Sequence, residues 1–360
     1  MFGHAEPGSG ACSRAASENL TMVLLTGANG HLGANLLRRL LADGEQIRVF
    51  LRTGPDNSTV DGLAVEGVYG DLRDFESVRA AVRGCSHIYH CAAKVSTLDS
   101  GQQELFESNV LGTRHVLLAA LEHNVRKVVV SGSFSATGYD LVRPSDETFP
   151  FNPFLKHLPY GMTKAFVEHE CLKAAAEGLD VVVAVSCAIL GPNDFKPSRM
   201  GRVLCDVANR RMRAYIPGGF EFVSARDIVA GHILAMQKGR SGQKYILSSE
   251  FLTVDDLMTI FEEVTGQPRP PLRLPAPMMA FFAEASNFVL NFFPEVPRRF
   301  TPAAVRILRM HRRADIGKAR RELGYEPTPI VDAVREAYDW FVERRAILRP
   351  KAVSLAGART

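Results

Sequence analysis

Near the start of the chain a short apolar run, Met22-Val-Leu-Leu-Thr26, passes directly into a glycine-rich turn, Thr26-Gly-Ala-Asn-Gly-His-Leu-Gly33. Apolar positions at helical spacing follow from Leu32 to Leu41. This strand–turn–helix order constrains the fold more than any other feature. Gly27 allows the tight turn, Gly30 lets the backbone approach a pyrophosphate, and Gly33 lets the helix pack closely on the strand. The amides that open the helix, around Asn29, His31 and Leu32, would then face phosphate oxygens. The spacing is Gly-x-x-Gly-x-x-Gly, one residue wider at its start than the basic dinucleotide fingerprint.

The chain beyond the turn alternates in the same way. Apolar runs at 46–51, 63–69, 86–91, 127–130 and 181–185 read as buried parallel strands, with helical patterns between them, as at 78–82 and 104–122. The expected fold is α/β: a Rossmann-type doubly wound parallel sheet, binding its ligand at the strands' carboxyl ends. After Gly191-Pro192 the alternation loosens, and a Pro-rich link (268–277) precedes a phenylalanine-rich helix. The expected division is a dinucleotide domain over 21–190, to which a helix and strand within 224–248 return. A smaller, mainly C-terminal substrate domain takes 191–223 and 249–345. Residues 1–20, rich in Gly, Ser and Ala, are expected to form a disordered extension, with Met22 as an alternative translation start. Residues 346–360 are expected to form a flexible basic tail.

Composition narrows the function classes. The net charge of +4 is small and the basic residues are scattered, which does not suggest a nucleic-acid partner. The six cysteines show no metal-ligand spacing, so no metal and no disulfide framework are expected, as in a reduced, cytoplasmic setting. No run is long and apolar enough for a transmembrane helix.

Downstream lies Tyr160-Gly-Met-Thr-Lys164. Residues four apart share one helical face, so the ammonium can sit beside the phenol and lower its pKa towards neutrality. A phenol tuned this way exchanges a proton with a carbonyl or alcohol oxygen. The glycine turn with this Tyr-x-x-x-Lys resembles the short-chain dehydrogenase/reductase superfamily, in particular its extended branch. The resemblance implies that Tyr160 is the acid/base, that Lys164 holds the nicotinamide ribose, and that Asn109, in Asn109-Val-Leu-Gly-Thr113, supports the lysine. It places the oxygen-binding serine on Ser133 of Val130-Ser-Gly-Ser133-Phe-Ser-Ala-Thr-Gly138, with Ser131 and Ser135 as fallbacks and Gly132 where relatives often have serine. Thr137 of the same run is a candidate substrate contact.

For the cofactor, the acidic residue that grips the ribose of NAD should end the second strand, but Arg52 stands there. An arginine can fork onto a 2′-phosphate, which favours NADP(H) and leaves NAD(H) open. The resemblance assigns Asp71 and Leu72 to the adenine, leaving Asp74 to cap the next helix. It assigns Ala92, Ala93 and Lys94 to the ribose, and Ile189, in Ser186-Cys-Ala-Ile-Leu-Gly-Pro192, to the nicotinamide side.

The substrate is expected to be a hydrophobic or aromatic small molecule. Sugar-nucleotide epimerases carry an arginine about seven residues before the Asp of the segment matching Asp227-Ile-Val-Ala-Gly-His232; here that position is Phe220. Segment 278–293 places Met278, Phe281, Phe282, Phe288 and Phe292 on one helical face, as a core or dimer helix or as a lid over a lipophilic pocket. Phe195 and Phe220 could line the same pocket. These features resemble the dihydroflavonol-4-reductase and 3β-hydroxysteroid dehydrogenase group. The expected activity is an NADP-dependent ketone reductase or secondary-alcohol dehydrogenase. An NAD-dependent sugar-nucleotide epimerase or dehydratase and a non-catalytic NADP-binding sensor or scaffold stay open. Homodimers, formed through the helices bearing Asn109 and Tyr160, are common in the superfamily, and extended members also occur as monomers.

Overall fold

The computed structural model describes residues 21–348 except 55, 97–100, 141, 152–158 and 276–307. The extension 1–20, the apolar segment 278–293 and the tail from 349 lie outside the described residues.

Six strands, β1 (Met22–Thr26), β2 (Gln46–Leu51), β3 (Glu66–Tyr69), β4 (Cys85–His90), β5 (Lys127–Ser133) and β6 (Val181–Ser186), succeed one another in the first half. Three short strands then leave the main sheet: β7 (Ala188–Leu190), β8 (Ala214–Tyr215) and β9 (Gly219–Ser224). β10 (Lys244–Leu247) returns, and the main sheet runs β10-β6-β5-β4-β1-β2-β3, parallel throughout. The order reverses between β1 and β4, the switch point where such sheets bind ligands. Central strands are rich in β-branched residues because both faces are covered; Val128, Val129 and Val130 are each fully buried.

One face is covered by α2 (Phe75–Val82), α4 (Gly112–Glu122) and α5 (Pro159–Ala176), through Val78, Val116, Leu117 and Val167. The other is covered by α1 (His31–Ala42), α7 (Ala225–Lys238) and α9 (Gly317–Leu323), through Leu36, Leu40, Ile228 and Leu323. A separate core joins α6 (Arg199–Ala208), α8 (Val254–Thr265) and α10 (Ile330–Glu343) around Phe222, Phe261 and Phe341. Over it lies a small sheet of β7, β9 and β11 (Glu250–Thr253); β12 (Leu272–Arg273) pairs with β8.

Three details differ from the sequence reading. β3 starts at Glu66, because Leu63 and Val65 are held in turns by bonds to Val60 O and Leu63 O. The expected continuous helix 104–122 is α3 (Gln102–Phe106), a π turn (Glu107–Leu111) and α4. The chain also stays anchored past Arg344. Ile347 is buried, and Asn209 bonds both Ala346 O and Leu348 N, so 346–348 are not loose.

Candidate active site

The glycine turn closes over the end of β4. Gly27 has φ +80°, and a Cβ there would lie 2.5 Å from Ala92 N; a Cβ on Gly33 would lie 2.1 Å from Gly27 O. At Gly30 a Cβ would meet only Gly27 O, at 3.3 Å. Gly30 N donates to Gly27 O, and the first bond along α1 runs from Ala34 N to Gly30 O. The amides of His31, Leu32 and Gly33 therefore form the open, positive end of α1. Asn29 donates to Asn57 Oδ1, and its own Oδ1 is buried without a partner. This is a cradle that side chains would fill, with amide donors at its floor, and a dinucleotide pyrophosphate fits it. The His31 ring turns aside: its Nε2–H donates to Pro192 O (3.0 Å), and burial lowers its pKa.

On the ribose side, Arg52 is exposed at the end of β2, within electrostatic reach of Asp71 and Glu104. Asp74 caps α2 through Glu76 N, as expected. Asp71 is gripped by Arg73 at 2.6 and 3.0 Å, which holds its carboxyl below the usual range. Leu72 packs against Gly112, where a Cβ would lie 2.9 Å from the Leu72 Cβ. Lys94 forms an ion pair with Glu104. Ile189 pairs with Val223 in the smaller sheet, half-buried.

A hydrogen-bond chain connects the turn to α5. Thr113 Oγ1 donates to Asn109 O (2.6 Å), so His90 Nε2–H donates to Thr113 Oγ1 (3.0 Å) and Nδ1 accepts from Thr26 Oγ1 (2.7 Å). Thr26 Oγ1 in turn accepts from Ala92 N. The Asn109 side chain accepts from Lys94 N (2.7 Å) and donates to Lys94 O (2.9 Å) and Thr163 Oγ1 (3.1 Å). Thr163 closes the chain by donating to Tyr160 O. The π turn, a form common at functional sites, carries Asn109.

Ser133, Tyr160 and Lys164 come together where β5 ends against the start of α5. The Ser133 hydroxyl lies 2.8 Å from Ser135 Oγ and near enough to the Tyr160 phenol to lower its pKa. β5 continues through Gly132, where a Cβ would lie 2.7 Å from Val183 Cγ1, so a serine there would have to displace Val183. Lys164 is buried and its Nζ donates to Ser131 O (2.7 Å). Ser131 Oγ in turn donates to His232 Nε2 (2.9 Å), whose Nδ1–H bonds Ile228 O (2.8 Å). The expected lowering of the Tyr160 pKa is not met: burial pushes the phenol up to about 12, opposed by the Ser133 hydrogen bond. Burial also brings the Lys164 ammonium down to about 8. Desolvation decides the sign here, while the ammonium is aimed at the Ser131 carbonyl instead of at the phenol.

The expected substrate residues separate. Thr137 is buried beside Ser133, its hydroxyl without a partner. Phe220 stacks on Phe222 at 4.6 Å against the second core. Phe195 has Arg38 and Arg344 each 4.8 Å from its ring centre and Trp340 packed edge-on at 5.0 Å, at the junction of α1 and α10. Sequence reasoning missed three residues. His90 lay in the expected strand 86–91 and His232 in a quoted segment, neither with a role, and Arg312, which reaches the Ser133 turn, carries no motif.

A family model described as "NAD dependent epimerase/dehydratase family" matches residues 23–248. Sterol demethylase protein B of Methylococcus capsulatus is 45% identical over 325 residues, 90% of this chain and 99% of that protein. A putative dihydroflavonol 4-reductase of Synechocystis is 32% identical, over 88% of this chain and 93% of that one. The crystal structure of gox2253 superposes with a TM-score of 0.80 at 31% identity, covering 91% of this chain and 99% of that one. The chain thus belongs to the NAD-dependent epimerase/dehydratase family, the extended short-chain dehydrogenases/reductases, on its oxidoreductase side.

Proposed function

We propose that this protein transfers hydride between NADP(H) and a secondary alcohol or ketone on a hydrophobic, sterol-like molecule. The observation that carries the reading is the meeting of Ser133, Tyr160 and Lys164 beside the glycine cradle. The bound dinucleotide supplies or accepts the hydride. The cradle of Gly27, Gly30 and Gly33 and the open amides of α1 hold its pyrophosphate, and Arg52 takes the 2′-phosphate. Ser133 donates to the reacting oxygen. Tyr160, a neutral phenol at physiological pH, protonates that oxygen in reduction and recovers the proton in oxidation. Lys164, held by Ser131 O, keeps a positive charge under the site, and Asn109 fixes the start of α5 through Thr163.

Similarity to a sterol demethylase component favours the oxidative direction as a second reading. Oxidising an alcohol β to a carboxylate gives a β-keto acid, which loses carbon dioxide readily, so a dehydrogenase can complete removal of a carbon branch. The deciding experiment follows absorbance at 340 nm with NADPH or NADP+, and separately NADH or NAD+, against steroid ketones, hydroxysterols with and without a β-carboxyl group, flavonoids and UDP-sugars. Turnover of a sterol-type alcohol or ketone with NADP(H) supports the proposal. UDP-sugar turnover on tightly retained NAD would sink it.

We also infer that two copies pair through the α3–α5 face, where Phe106, Leu118, Phe166 and Leu172 are exposed and Phe106 meets Phe166 edge-on at 6.0 Å. Phe166→Glu is expected to shift the sedimenting species from dimer to monomer; a monomeric parent protein removes this inference.

A further inference from the structure

The segment before α9 carries an arginine with no part in the scheme above. Arg312 Nη2 donates to Phe134 O (2.9 Å) and to Thr137 O, with Gly138 O at 3.5 Å. Its guanidinium lies 4.7 Å from the centre of the Phe134 ring and 5.2 Å from that of Tyr139. The backbone around it is fixed from two sides. Ser145 N donates to Arg313 O (2.8 Å) and Asp315 N to Ser145 O (2.9 Å), while Ala314 N donates to the buried Glu221 Oε1 (2.7 Å). The carbonyls on Arg312 belong to one short turn, 134–138, whose 3-10 segment Phe134–Ala136 is capped by Ser133; the Ser133 hydroxyl accepts from Ser135 N and lies near the Tyr160 phenol. Charged donors bind carbonyls more strongly than neutral ones, and the planar guanidinium also stacks between the two rings.

We propose that Arg312 is a positioning residue: it clamps the 134–138 turn so that the Ser133 hydroxyl stays aligned with Tyr160. The inference rests on the roles given to Ser133 and Tyr160 above. Through Ala314 and Glu221 the same segment holds β9, so the smaller sheet and the serine turn keep one relative placement. Burial lowers the guanidinium to about 10, which leaves it charged at neutral pH.

The test is a double-mutant cycle with Ser133→Ala, read in turnover, dinucleotide affinity and amide hydrogen exchange. Arg312→Ala is expected to lower kcat roughly 10- to 100-fold, with dinucleotide Kd within about twofold of the parent. In the Ser133→Ala background the same change should cost less than about threefold, because Arg312 acts through that serine. Exchange at amides 134–138 should quicken at least about tenfold in Arg312→Ala. That readout needs no substrate, so it separates failure of this inference from failure of the functional reading. Arg312→Lys keeps a buried cation without the planar fork and should give an intermediate loss; it carries the same comparisons if the alanine variant does not fold. Additive losses in the cycle, unchanged exchange, or a rise in KM alone with kcat intact would overturn the proposal.

Discussion

Tyr160 shows what one side chain's surroundings decide. Its motif spacing was enough to pair it with Lys164, but the sign of its pKa shift depends on burial, which no spacing reveals. Tyr160→Phe removes the transferable proton and leaves the glycine cradle untouched. It is expected to lower kcat roughly 10²- to 10⁴-fold with little change in dinucleotide Kd, measured by fluorescence titration. A folded variant that no longer binds dinucleotide would instead make Tyr160 a cofactor anchor. The residues that came with a motif, Gly27, Asn109 and Lys164, were legible in the sequence as a set. Arg312 was not, because its carbonyl partners lie 174 to 178 positions away and their contact depends on how the chain folds back. The arginines around Phe195 were hidden for a related reason: an aromatic residue reads alike in a pocket and in a stack between arginines.

At the scale of elements, the β1–α1 unit separates two uses of glycine. Gly33→Ala drives a methyl group into Gly27 O, and overpacking of this kind costs about 1–3 kcal/mol. Urea unfolding should show that loss, together with weaker dinucleotide binding. Gly30→Ala meets only one contact at 3.3 Å, so the fold should hold while the methyl group obstructs the pyrophosphate. If Gly30→Ala bound dinucleotide like the parent, the cradle assignment would fail. Most strands were legible because a buried parallel strand is a continuous apolar run. The π turn that carries Asn109 was not, since one added residue hardly disturbs an apolar period. The continuation of β5 into Gly132 and Ser133 was hidden too, because small polar residues at a strand end read as a turn.

Over the whole molecule, two buried imidazoles tie stability to pH. Burial pushes His90 down to about 3 and His232 down to about 4, so both stay neutral in the fold. The unfolded chain takes up their protons below about 6.5. Stability is therefore full above that value and is lost as pH falls towards 4, with a slope approaching about 1.4 kcal/mol per pH unit for each histidine. Burial raises the carboxyls of Glu147, Glu168 and Glu221, which acts in the opposite sense as pH falls, so the net slope between pH 6.5 and 5 is shallower than the histidines alone would give. Urea midpoints across that interval should fall steadily, and a flat profile would mean that the imidazoles are not buried neutral. The sheet's own order has a consequence in time. β6 ends at Ser186, but its neighbour β10 begins at Lys244, after β7, β8, β9 and two helices have been made. A chain emerging from the ribosome therefore presents β6 with one open edge until that late strand arrives, the interval in which it is most exposed to pairing with a neighbouring nascent chain.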